Sequence, residues 1–597
     1  MPAHPTPSPT TNPGPQRRPQ YGSDVMVDLL QLCGIEYAAC NPGASFRGLH
    51  DSIVNYGGNS RPELIQCCHE EISVALAHGY AKATGKPMAA ILHNIVGLQH
   101  ASMAIFNAWC DRVPLLALGA TGPMDSSQRR PWIDWIHTAL VQGNLVRDYV
   151  KWDDQPYSLA SVPDSFLRAC RIAQTDPQGP VYVCYDAGLQ EDVVHTPVPL
   201  PDPQRYAPPM SPQAHPDALE RAADMLVEAQ HPVIIADLLG RHPQAVGSLV
   251  QLAELLAIPV IDRGGRFNMP STHPLDLTDA AGEILPQTDV LLALDVLDLY
   301  GALGRVDKAT RRYQSMLPSE AQIIHMTMGD LFTRSWAADY ERLQAVDLPI
   351  AADTSVALPA LLSLCQTRLG STDASHRAAR SERYGMRHQA LRQQWQRAAH
   401  DARAEQPLAV PTVVAEIWEV IKHEDWVLVN NAVGTWTRRL WEWDQPQRYL
   451  GSSGAAGLGY GMGAALGGAL AHRGSGKVCV NLQADGDLLY TPSALWTAAH
   501  HRLPLLVVMF NNRSYYNSEE HAFELAGVRE RPRERAGIGT RLDDPAVNFA
   551  QLAQAYGLYG EGPIDTPDAI RPALERALRV VQEEGTLALV DIVMQPR

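Results

Sequence analysis

The sequence predicts an α/β fold built from three doubly wound parallel-sheet domains, and two observations support this fold class. The chain has 597 residues, which is too long for one ordinary hydrophobic core and makes three domains the natural expectation. Short, almost continuous apolar runs alternate with amphipathic helical stretches along the chain, as expected for parallel sheets that helices cover on both faces.

The apolar runs that are predicted to be buried strands fall into three groups. The first domain carries GIEYAAC, MAAILHN, VPLLALG and PVYVCY. The second domain carries HPVIIAD, IPVID, DVLLALD and QIIHM. The third domain carries WVLVNN, KVCVNLQ, PLLVVMF and LALVDIV.

Changes in composition mark the domain boundaries. Residues 197–216 are rich in proline and form an extended connector, because proline fits neither a helix interior nor a central strand. Residues 366–406 are polar and predict a linker with an exposed helix around Arg383–Arg403. Residues 1–20 contain seven prolines and no apolar core, so we expect a disordered tail and not a signal peptide. The predicted domains are therefore residues 21–196, 217–365 and 407–597.

Charge, cysteine content and hydropathy exclude several classes of partner. The formal net charge is −16, which argues against binding to nucleic acid or to an anionic membrane surface. The nine cysteines are scattered without a CxxC motif, so we expect free thiols and a reducing, cytoplasmic environment. No segment approaches the ~20 apolar residues of a membrane span. These features favour a cytoplasmic protein that acts on a small molecule.

The stretch QADGDLLYTPSALWTAAHHRLPLLVVMFNN, residues 483–512, carries the strongest functional signal. It predicts a strand, a loop, a helix over about Pro492–His501 and a second strand. A right-handed crossover brings the carboxyl ends of both strands to one edge of the sheet, where open α/β sheets bind ligands. Asp485 and Asn512 are expected to meet there, and their oxygen atoms suit Mg²⁺ or Ca²⁺. The alternative is a pair of ordinary loop turns.

This stretch resembles the cofactor motif of thiamine-diphosphate enzymes, in which Gly-Asp-Gly is followed by Asn-Asn after a spacer of similar length. The resemblance implies that Asp485, the side chain of Asn512 and the main-chain carbonyl of Ser514 hold Mg²⁺. The metal would bridge the protein and the cofactor diphosphate.

The same resemblance places Gly486, Asp487 and Tyr515 against the cofactor. Two positions depart from the family pattern, since Ala484 replaces the first glycine and Asp487 replaces a small polar residue. An acidic side chain beside a diphosphate is unfavourable unless it points away from it.

The stretch CCHEEISVALAHGYAKATGK, residues 67–86, supplies the glutamate that such enzymes place against N1′ of the cofactor aminopyrimidine. The family spacing between this glutamate and Gly-Tyr-Ala selects Glu70 over Glu71, whose side chain we expect to be solvated or paired. A carboxyl group in an apolar site can share a proton with N1′. The zinc-protease motif HExxH fails here because its fifth position is Ser73, and a plain helix-start glutamate is the other alternative.

The stretch YLGSSGAAGLGYGMGAALGGAL, residues 449–470, resembles the family's loop and glycine-rich helix start. By that resemblance the Ala456 carbonyl accepts the N4′ amine and Leu458 supports the bent cofactor. Gly434, in NNAVGTW, falls where the diphosphate loop is expected. A dinucleotide-binding loop and a core helix are the alternatives, although the GxGxxG pattern is not met cleanly.

The predicted substrate pocket starts at NPGAS, residues 41–45, after the first strand. The resemblance places Asn41, Pro42 and Gly43 at the cofactor, as in the decarboxylase and acetolactate-synthase branches. Ala44 stands where the benzoylformate decarboxylase branch carries a substrate-binding serine, so aryl specificity does not transfer.

The stretch ILHNIVGLQHASMAIFNAW resembles the benzoylformate decarboxylase branch, in which a histidine at the position of His93 shuttles protons. An imidazole suits that task near neutral pH. A satisfied loop histidine is the alternative. Trp135 and His137, in WIDWIHTAL, are further pocket candidates because acetolactate synthases present an active-site glutamine in this region.

The sequence is therefore identified as a member of the acetolactate synthase and 2-oxo acid decarboxylase superfamily, with thiamine diphosphate and Mg²⁺ as cofactors. The resemblance implies an N-terminal pyrimidine-binding domain, a C-terminal diphosphate-binding domain, and a central domain that holds FAD or ADP in some members. It also implies a homodimer or homotetramer, because the glutamate comes from the partner subunit. The expected reaction is 2-oxo acid decarboxylation or acyl-aldehyde carboligation. The alternatives are a thiamine-dependent acyl-CoA lyase or C–C hydrolase, an FAD- or NAD-binding oxidoreductase, and an inactive binding subunit.

Overall fold

A computed structural model describes residues 18–131, 134–307, 310–329, 340, 342–369 and 374–595. These residues form three parallel α/β sheets in chain order and one small antiparallel hairpin. The predicted α/β fold with three parallel-sheet domains is confirmed. Most of the predicted N-terminal tail lies outside the described residues. No helix in the described part of the chain is both long and apolar enough to span a membrane.

The N-terminal domain contains a six-stranded parallel sheet in the order β2-β1-β3-β4-β6-β5. Its strands are β1 Tyr37–Cys40, β2 Glu63–Gln66, β3 Met88–Leu92, β4 Leu115–Thr121, β5 Asp153–Asp154 and β6 Pro180–Asp186. Its helices are α1 Gly22–Leu32, α2 Arg47–Asp51, α3 Glu70–Thr84, α4 Asn94–Cys110, α5 Val162–Gln174 and α6 Ala187–Glu191. Every residue of β3 and β4 is buried, which agrees with their continuous apolar runs.

The central domain contains a five-stranded parallel sheet in the order β13-β12-β9-β7-β8, and β10 pairs with β11 as a separate hairpin. Its strands are β7 Pro232–Ala236, β8 Val260–Asp262, β9 Val290–Leu294, β10 Gly304–Val306, β11 Tyr313–Ser315, β12 Gln322–Met326 and β13 Leu348–Ile350. Its helices are α7 Pro216–Glu228, α8 Pro243–Leu256, α9 Ala281–Ile284, α10 Leu299–Ala302 and α11 Thr354–Arg368.

The C-terminal domain contains a five-stranded parallel sheet in the order β14-β15-β16-β18-β17. Its strands are β14 Trp426–Asn431, β15 Val478–Ala484, β16 Leu505–Asn511, β17 Tyr559–Ile564 and β18 Leu587–Val593. Helix α12, Ala374–Asp401, leads into this domain. The domain's own helices are α13 Val410–Ile421, α14 Trp436–Leu440, α15 Tyr460–Ala471, α16 Asp485–Tyr490, α17 Ala494–His501, α18 Tyr516–Val528, α19 Phe549–Ala555 and α20 Pro567–Glu584.

All the predicted buried strands are present, and the boundaries of three other predicted segments need correction. The predicted loop after β15 is the short helix α16, and the next helix begins at Ala494 and not at Pro492. The predicted exposed helix starts earlier, at Ala374, and buries only Tyr384, His388, Leu391 and Ala399. The proline-rich connector contains one 3₁₀ turn, Pro203–Tyr206, and otherwise has no regular structure before α7.

The N-terminal and C-terminal domains contact each other directly through α3 and α15. A Cβ atom on Gly79 would lie 1.9 Å from the Ala464 carbonyl oxygen, and one on Gly467 would lie 2.0 Å from the Leu76 carbonyl oxygen. Only glycine allows two helix backbones to approach this closely. The glycine run of α15 therefore serves helix packing, and its sequence does not need a dinucleotide to explain it.

Candidate active site

The carboxyl ends of β15 and β16 bring the predicted metal ligands together. The two strands pair in parallel with Ala484 opposite Phe510, so Asp485 and Asn512 follow at the same edge of the sheet. The Asp485 Oδ1 atom accepts a 2.8 Å hydrogen bond from the main-chain N–H group of Gly486. The Asn512 side-chain oxygen accepts a 2.9 Å hydrogen bond from the Ser514 N–H.

The Asp485 carboxylate fits a cation. Asp485 is 2% exposed, and its Oδ2 atom is buried without a hydrogen-bond partner among the described residues. Burial raises the pKa of Asp485 to about 6, because a charge in a low-dielectric site is disfavoured unless something compensates it. An orphaned carboxylate oxygen beside an amide oxygen is the donor set that hard divalent cations prefer. The residues present therefore fit the expected Mg²⁺.

Asp487 points away from this edge and caps α15. Its carboxylate accepts hydrogen bonds from the N–H groups of Gly459, at 2.8 Å, and Gly461, at 3.1 Å. The Gln483 amide donates a third, at 2.6 Å. A carboxylate at a helix N-terminus is electrostatically favourable. This orientation accounts for an acidic residue so near a predicted diphosphate site, and direct contact of Asp487 with the cofactor stays a prediction.

Gly486 and Tyr515 pack against each other beside Asp485. A Cβ atom on Gly486 would lie 2.5 Å from the Tyr515 ring, so glycine is required for this contact. The Tyr515 hydroxyl group donates a 3.5 Å hydrogen bond to the Gly486 carbonyl oxygen. The two predicted cofactor residues thus lie together beside the predicted metal ligands.

The remaining predicted residues of the C-terminal half lie on two loops. Gly434 follows β14 with a φ of +68° and accepts a 2.9 Å hydrogen bond from the Asn431 side chain. Ala456 has a φ of +52°, which is uncommon for a residue with a side chain. Leu458 is 38% exposed, a large apolar side chain with a face open to a ligand. The role of each toward the cofactor stays a prediction.

Glu70 is the first residue of α3 and lies in a histidine-rich corner of the N-terminal domain. The residue is 3% exposed, and its Oε2 atom lies 3.3 Å from Nδ1 of His100 on α4. The His100 ring stacks on the ring of His69 with a centroid distance of 4.9 Å. A Cβ atom on Gly97 would lie 2.9 Å from Oε1 of Glu70, so the missing side chain at Gly97 leaves room beside the carboxyl group.

His93 stands at the N-terminus of α4 between two hydrogen-bond partners. Its Nδ1 atom lies 2.9 Å from the Ser45 hydroxyl group, and its Nε2 atom lies 3.2 Å from Nδ1 of His137. Burial, and then the nearby His137, lower the pKa of His93 below its usual value. The imidazole is therefore neutral at pH 7 and able to accept a proton.

The NPGAS loop and the Trp135 segment surround this histidine pair. A Cβ atom on Gly43 would lie 2.6 Å from the His93 ring, so the loop that contains Asn41 and Pro42 packs directly on the imidazole. The Ala44 carbonyl oxygen accepts a 3.4 Å hydrogen bond from Arg130. The Trp135 ring is covered by the Arg129 guanidinium group at 3.9 Å.

The sequence pattern did not identify Ser45 and His100, which contact the candidate residues His93 and Glu70. Ser45 is the last residue of NPGAS, and its position two residues after Gly43 was the signal that could have identified it. His100 lies on α4, the helix whose N-terminus is capped by His93. Its relation to Glu70 depends on how α3 and α4 pack, which the sequence pattern does not specify.

The expected environment of Glu71 is wrong. The side chain is partly buried and, among the described residues, is paired with no cation, because α3 turns it toward the C-terminal domain of the same chain. A Cβ atom on Gly459 would lie 2.5 Å from its Oε1 atom. Burial, and then the charge of Asp487, raise the pKa of Glu71 to about 7. Glu71 therefore belongs to the contact between α3 and α15.

The candidate site thus consists of two groups of residues in different domains. Asp485 and its neighbours form one half at the edge of the C-terminal sheet, and Glu70 with His93 forms the other in the N-terminal domain. Among the described residues, Glu70 makes no hydrogen bond or ion pair with the C-terminal domain.

The edge of the central sheet where a nucleotide would bind carries buried ion pairs. Asp295 follows β9 and lies 3.3 Å from Arg241 and 3.6 Å from Arg112 of the N-terminal domain. Asp262 ends β8 and lies 2.7 Å from Arg438 of the C-terminal domain. Open α/β sheets bind their ligands at this edge, and here it is occupied by aspartates that join the three domains.

Family models match this chain in three consecutive stretches. Models of the thiamine pyrophosphate enzymes match the N-terminal TPP binding domain at residues 20–144, the central domain at residues 219–361 and the C-terminal TPP binding domain at residues 432–592. A probable acetolactate synthase large subunit from Methanocaldococcus jannaschii is 24% identical, covering 96% of this chain and 92% of its own length. The acetolactate synthase large subunit of Haemophilus influenzae is 23% identical, covering 96% and 94%.

Two solved structures share the fold. The thiamine diphosphate-dependent 4-hydroxybenzoylformate decarboxylase of Rhodococcus jostii has a TM-score of 0.71 and 20% identity, covering 96% of this chain and 99% of that one. The benzoylformate decarboxylase of Polynucleobacter necessarius has a TM-score of 0.73 and 18% identity, covering 97% and 100%.

The fold and the two half-sites define a cofactor-dependent enzyme, and the chain belongs to the thiamine pyrophosphate enzymes. It uses thiamine diphosphate to make or break a C–C bond next to a carbonyl group, as a lyase or transferase.

Proposed function

We propose that this enzyme decarboxylates a 2-oxo acid and that the His93–His137 pair delivers the proton that replaces the lost carboxylate. The observation that carries the proposal is the hydrogen-bonded series Ser45, His93 and His137, with distances of 2.9 and 3.2 Å. Bound thiamine diphosphate supplies an electron sink for the bond next to the carbonyl group. The histidine pair would donate and accept protons at the substrate, which the cofactor's electron sink does not do.

The ionisation of the histidine pair supports this role. Because the pKa of His93 is lowered by burial and by His137, the neutral imidazole is available to exchange a proton near pH 7. The Ser45 hydroxyl group accepts or donates at Nδ1, which fixes the ring and leaves Nε2 to exchange protons with His137. The pair therefore holds a proton at a defined atom next to the pocket.

Glu70 has a separate task in the proposal. Its buried carboxyl group would share a proton with the aminopyrimidine of the cofactor, which activates the cofactor before substrate arrives. Asp485, Asn512 and the Ser514 carbonyl would hold Mg²⁺ and, through it, the diphosphate group. The orphaned Asp485 oxygen supports this assignment.

The proposed smallest active unit is a homodimer, which is supported by the finding that, among the described residues, Glu70 makes no hydrogen bond or ion pair with the C-terminal domain of its own chain. Glu70 of one subunit would complete the Asp485 half of its partner, and a tetramer of two such dimers is the larger alternative. Mixing a Glu70→Gln variant with an Asp485→Ala variant should restore part of the activity, because one site of each mixed dimer is intact. A fully active monomer in sedimentation would contradict the proposed assembly.

The proposed reaction is tested with a panel of aliphatic and aryl 2-oxo acids. Holoenzyme is incubated with each acid, and CO₂ release and the organic product are both measured. Decarboxylation with aldehyde release is the expected result for at least one acid. His93→Ala should lower that rate by roughly 10²–10⁴-fold, the range for general acid–base groups, while an exposed-histidine variant, His376→Ala on α12, should not. Unchanged aldehyde release by His93→Ala would contradict the role of the pair.

Acyl-aldehyde carboligation is the second candidate, and the full-length similarity to proteins described as acetolactate synthases favours it. The product distinguishes the two candidates. A carboligase given a 2-oxo acid releases CO₂ but yields a longer hydroxyketone or hydroxy acid in place of free aldehyde.

A further inference from the structure

We propose that His100 relays protons between the buried Glu70 carboxyl group and the outside of the domain, separately from the His93–His137 pair on the substrate side. This inference rests on the proposed function, because Glu70 needs a relay only if it exchanges a proton with the cofactor. His100 does not touch the reacting atoms in this picture and is a positioning residue that acts through Glu70.

The first step of the argument is the isolation of Glu70. Its side chain is 4% exposed, so water does not reach the carboxyl group freely. In the described part of the chain, His100 is the only residue within hydrogen-bond distance of that group, with 3.3 Å between Nδ1 and Oε2. A proton that enters or leaves Glu70 on the protein side therefore passes through this contact.

The second step is the exposure of His100. Its side chain is 58% exposed although Nδ1 faces a buried carboxyl group, so the imidazole spans the boundary between the site and its surroundings. An imidazole takes up a proton at one ring nitrogen and releases one from the other. The proton balance is closed, since each proton gained at Nε2 is matched by one passed from Nδ1 to Glu70.

The third step is the fixed orientation of the His100 ring. The ring of His69 stacks on it with an interplanar angle of 23°. His69 is itself held as the cap of α3, because its Nδ1 atom accepts a 3.1 Å hydrogen bond from the Glu71 N–H. That bond keeps Nδ1 of His69 from competing for the Glu70 carboxyl group, and it leaves His69 as a support for the relay.

Other titratable groups around Glu70 do not offer the same route. His93 lies on the substrate side and is engaged by Ser45 and His137. Burial raises the pKa of the Cys40 thiol to well above its usual value, so that thiol keeps its proton. His69 feels the charge of Glu70, but burial lowers its pKa. Among these groups, which belong to the described part of the chain, His100 alone combines contact with the Glu70 carboxyl group and a ring that is exposed in the single chain.

The experiment compares His100→Ala and His100→Gln with wild type as holoenzymes. Exchange of the cofactor C2 proton in D₂O is followed by quenched NMR, and kcat/KM is measured from pH 5 to pH 9. We expect His100→Ala to slow the exchange at least about tenfold, with cofactor binding retained in a direct titration. Added free imidazole should restore part of the exchange in His100→Ala, because it replaces the missing relay, but not in Glu70→Gln.

The controls separate this inference from the proposed function. His376→Ala, which removes an exposed histidine on α12, should behave as wild type. If Glu70→Gln slows exchange while His100→Ala exchanges at the wild-type rate at every pH, the relay is wrong and the role of Glu70 stands. If His100→Ala shows a uniform loss without imidazole rescue and without a changed pH profile, His100 is only structural. If Glu70→Gln has no effect, the proposed function itself fails.

Discussion

The Asp111 carboxylate, one residue beyond α4, accepts a 2.7 Å hydrogen bond from the Arg266 guanidinium group of the central domain. The same carboxylate accepts 2.8 Å hydrogen bonds from Lys82 and His78 on α3. Lys82 in turn donates to the Ser452 carbonyl oxygen of the C-terminal domain, at 2.7 Å. One buried carboxylate thus joins all three domains beside the helix that carries Glu70.

Asp111→Asn should destabilise the fold strongly. The substitution leaves the buried cations Lys82 and Arg266 without their counter-charge, and breaking a buried ion pair costs about 3–5 kcal/mol. Urea unfolding followed by circular dichroism measures the loss. The matched control is Glu63→Gln, which removes a half-exposed ion pair with Arg473 at 3.2 Å and should cost less than about 1 kcal/mol. Equal losses of unfolding free energy in the two variants would contradict the role of Asp111 as the counter-charge of Lys82 and Arg266.

Asp485→Asn should stabilise the cofactor-free protein while it weakens cofactor binding. The pKa of Asp485 is raised to about 6 in the fold, so the carboxylate destabilises the fold as pH rises from about 4 to about 6. The variant should therefore be more stable than wild type at pH 8, by about 3 kcal/mol at most, and equal to it at pH 3. Thermal unfolding without metal and cofactor titration with Mg²⁺ are the two measurements. A variant that keeps wild-type cofactor affinity would exclude Asp485 as a metal ligand.

Glu70→Gln and Glu71→Gln should have different effects although the residues are adjacent. Glu70→Gln should slow cofactor C2-proton exchange by roughly 10²–10⁴-fold with the fold intact. Glu71→Gln should leave the exchange nearly unchanged, because its side chain faces Gly459 and Asp487.

Glu71→Gln should instead change stability in a pH-dependent way. Since the folded-state pKa of Glu71 is raised to about 7, wild type loses stability as pH rises from about 4.5 to about 7. The variant should lack this loss and be more stable at pH 8 by about 1–3 kcal/mol. Exchange that collapses in Glu71→Gln and not in Glu70→Gln would move the catalytic assignment by one residue.

His137→Asn should raise the pKa of His93. Burial lowers that pKa first, and the neighbouring His137 lowers it further, so removing His137 removes the second cause. His93 then becomes protonated at a higher pH, and the acid limb of the kcat/KM profile should shift upward. Trp135→Phe is the control and should leave the acid limb in place, because the Trp135 ring contacts Arg129 and not His93. A downward shift in His137→Asn would contradict this account.

The central domain should not require FAD or ADP. Its sheet edge is lined by aspartates such as Asp262 and Asp295, which pair with Arg438, Arg241 and Arg112, and a diphosphate group would have to displace these buried ion pairs. Purified protein should show no flavin absorbance, and neither nucleotide should raise its melting temperature. A stoichiometric flavin in the purified enzyme would contradict this prediction.

The parts of the site that strand order determines were predictable from the sequence. Asp485 and Asn512 meet because a right-handed crossover places the ends of two parallel strands at one edge. The apolar runs identified the buried strands, while short or polar edge strands such as β2, β5 and β13 were missed. The segment after β15 was expected to be a loop, but it is the short helix α16, which begins at Asp485.

Contacts that depend on packing between helices were not predictable. The sequence pattern does not show that His100 on α4 reaches Glu70 on α3, or that Glu71 turns toward Asp487 in another domain. The sequence also does not show that Ser45, and not Ala44, contacts His93, because that contact depends on how the NPGAS loop packs on the imidazole.

The glycine contacts between α3 and α15 also imply that the N-terminal and C-terminal domains stay together without a continuous chain between them. Those helices lie on either side of the entire central domain in sequence, yet their backbones touch at Gly79 and Gly467. A backbone cut in the exposed connector, near Pro208, would sever a covalent link while leaving this interface whole. Two co-expressed polypeptides that divide the sequence there should consequently assemble and work as a split enzyme.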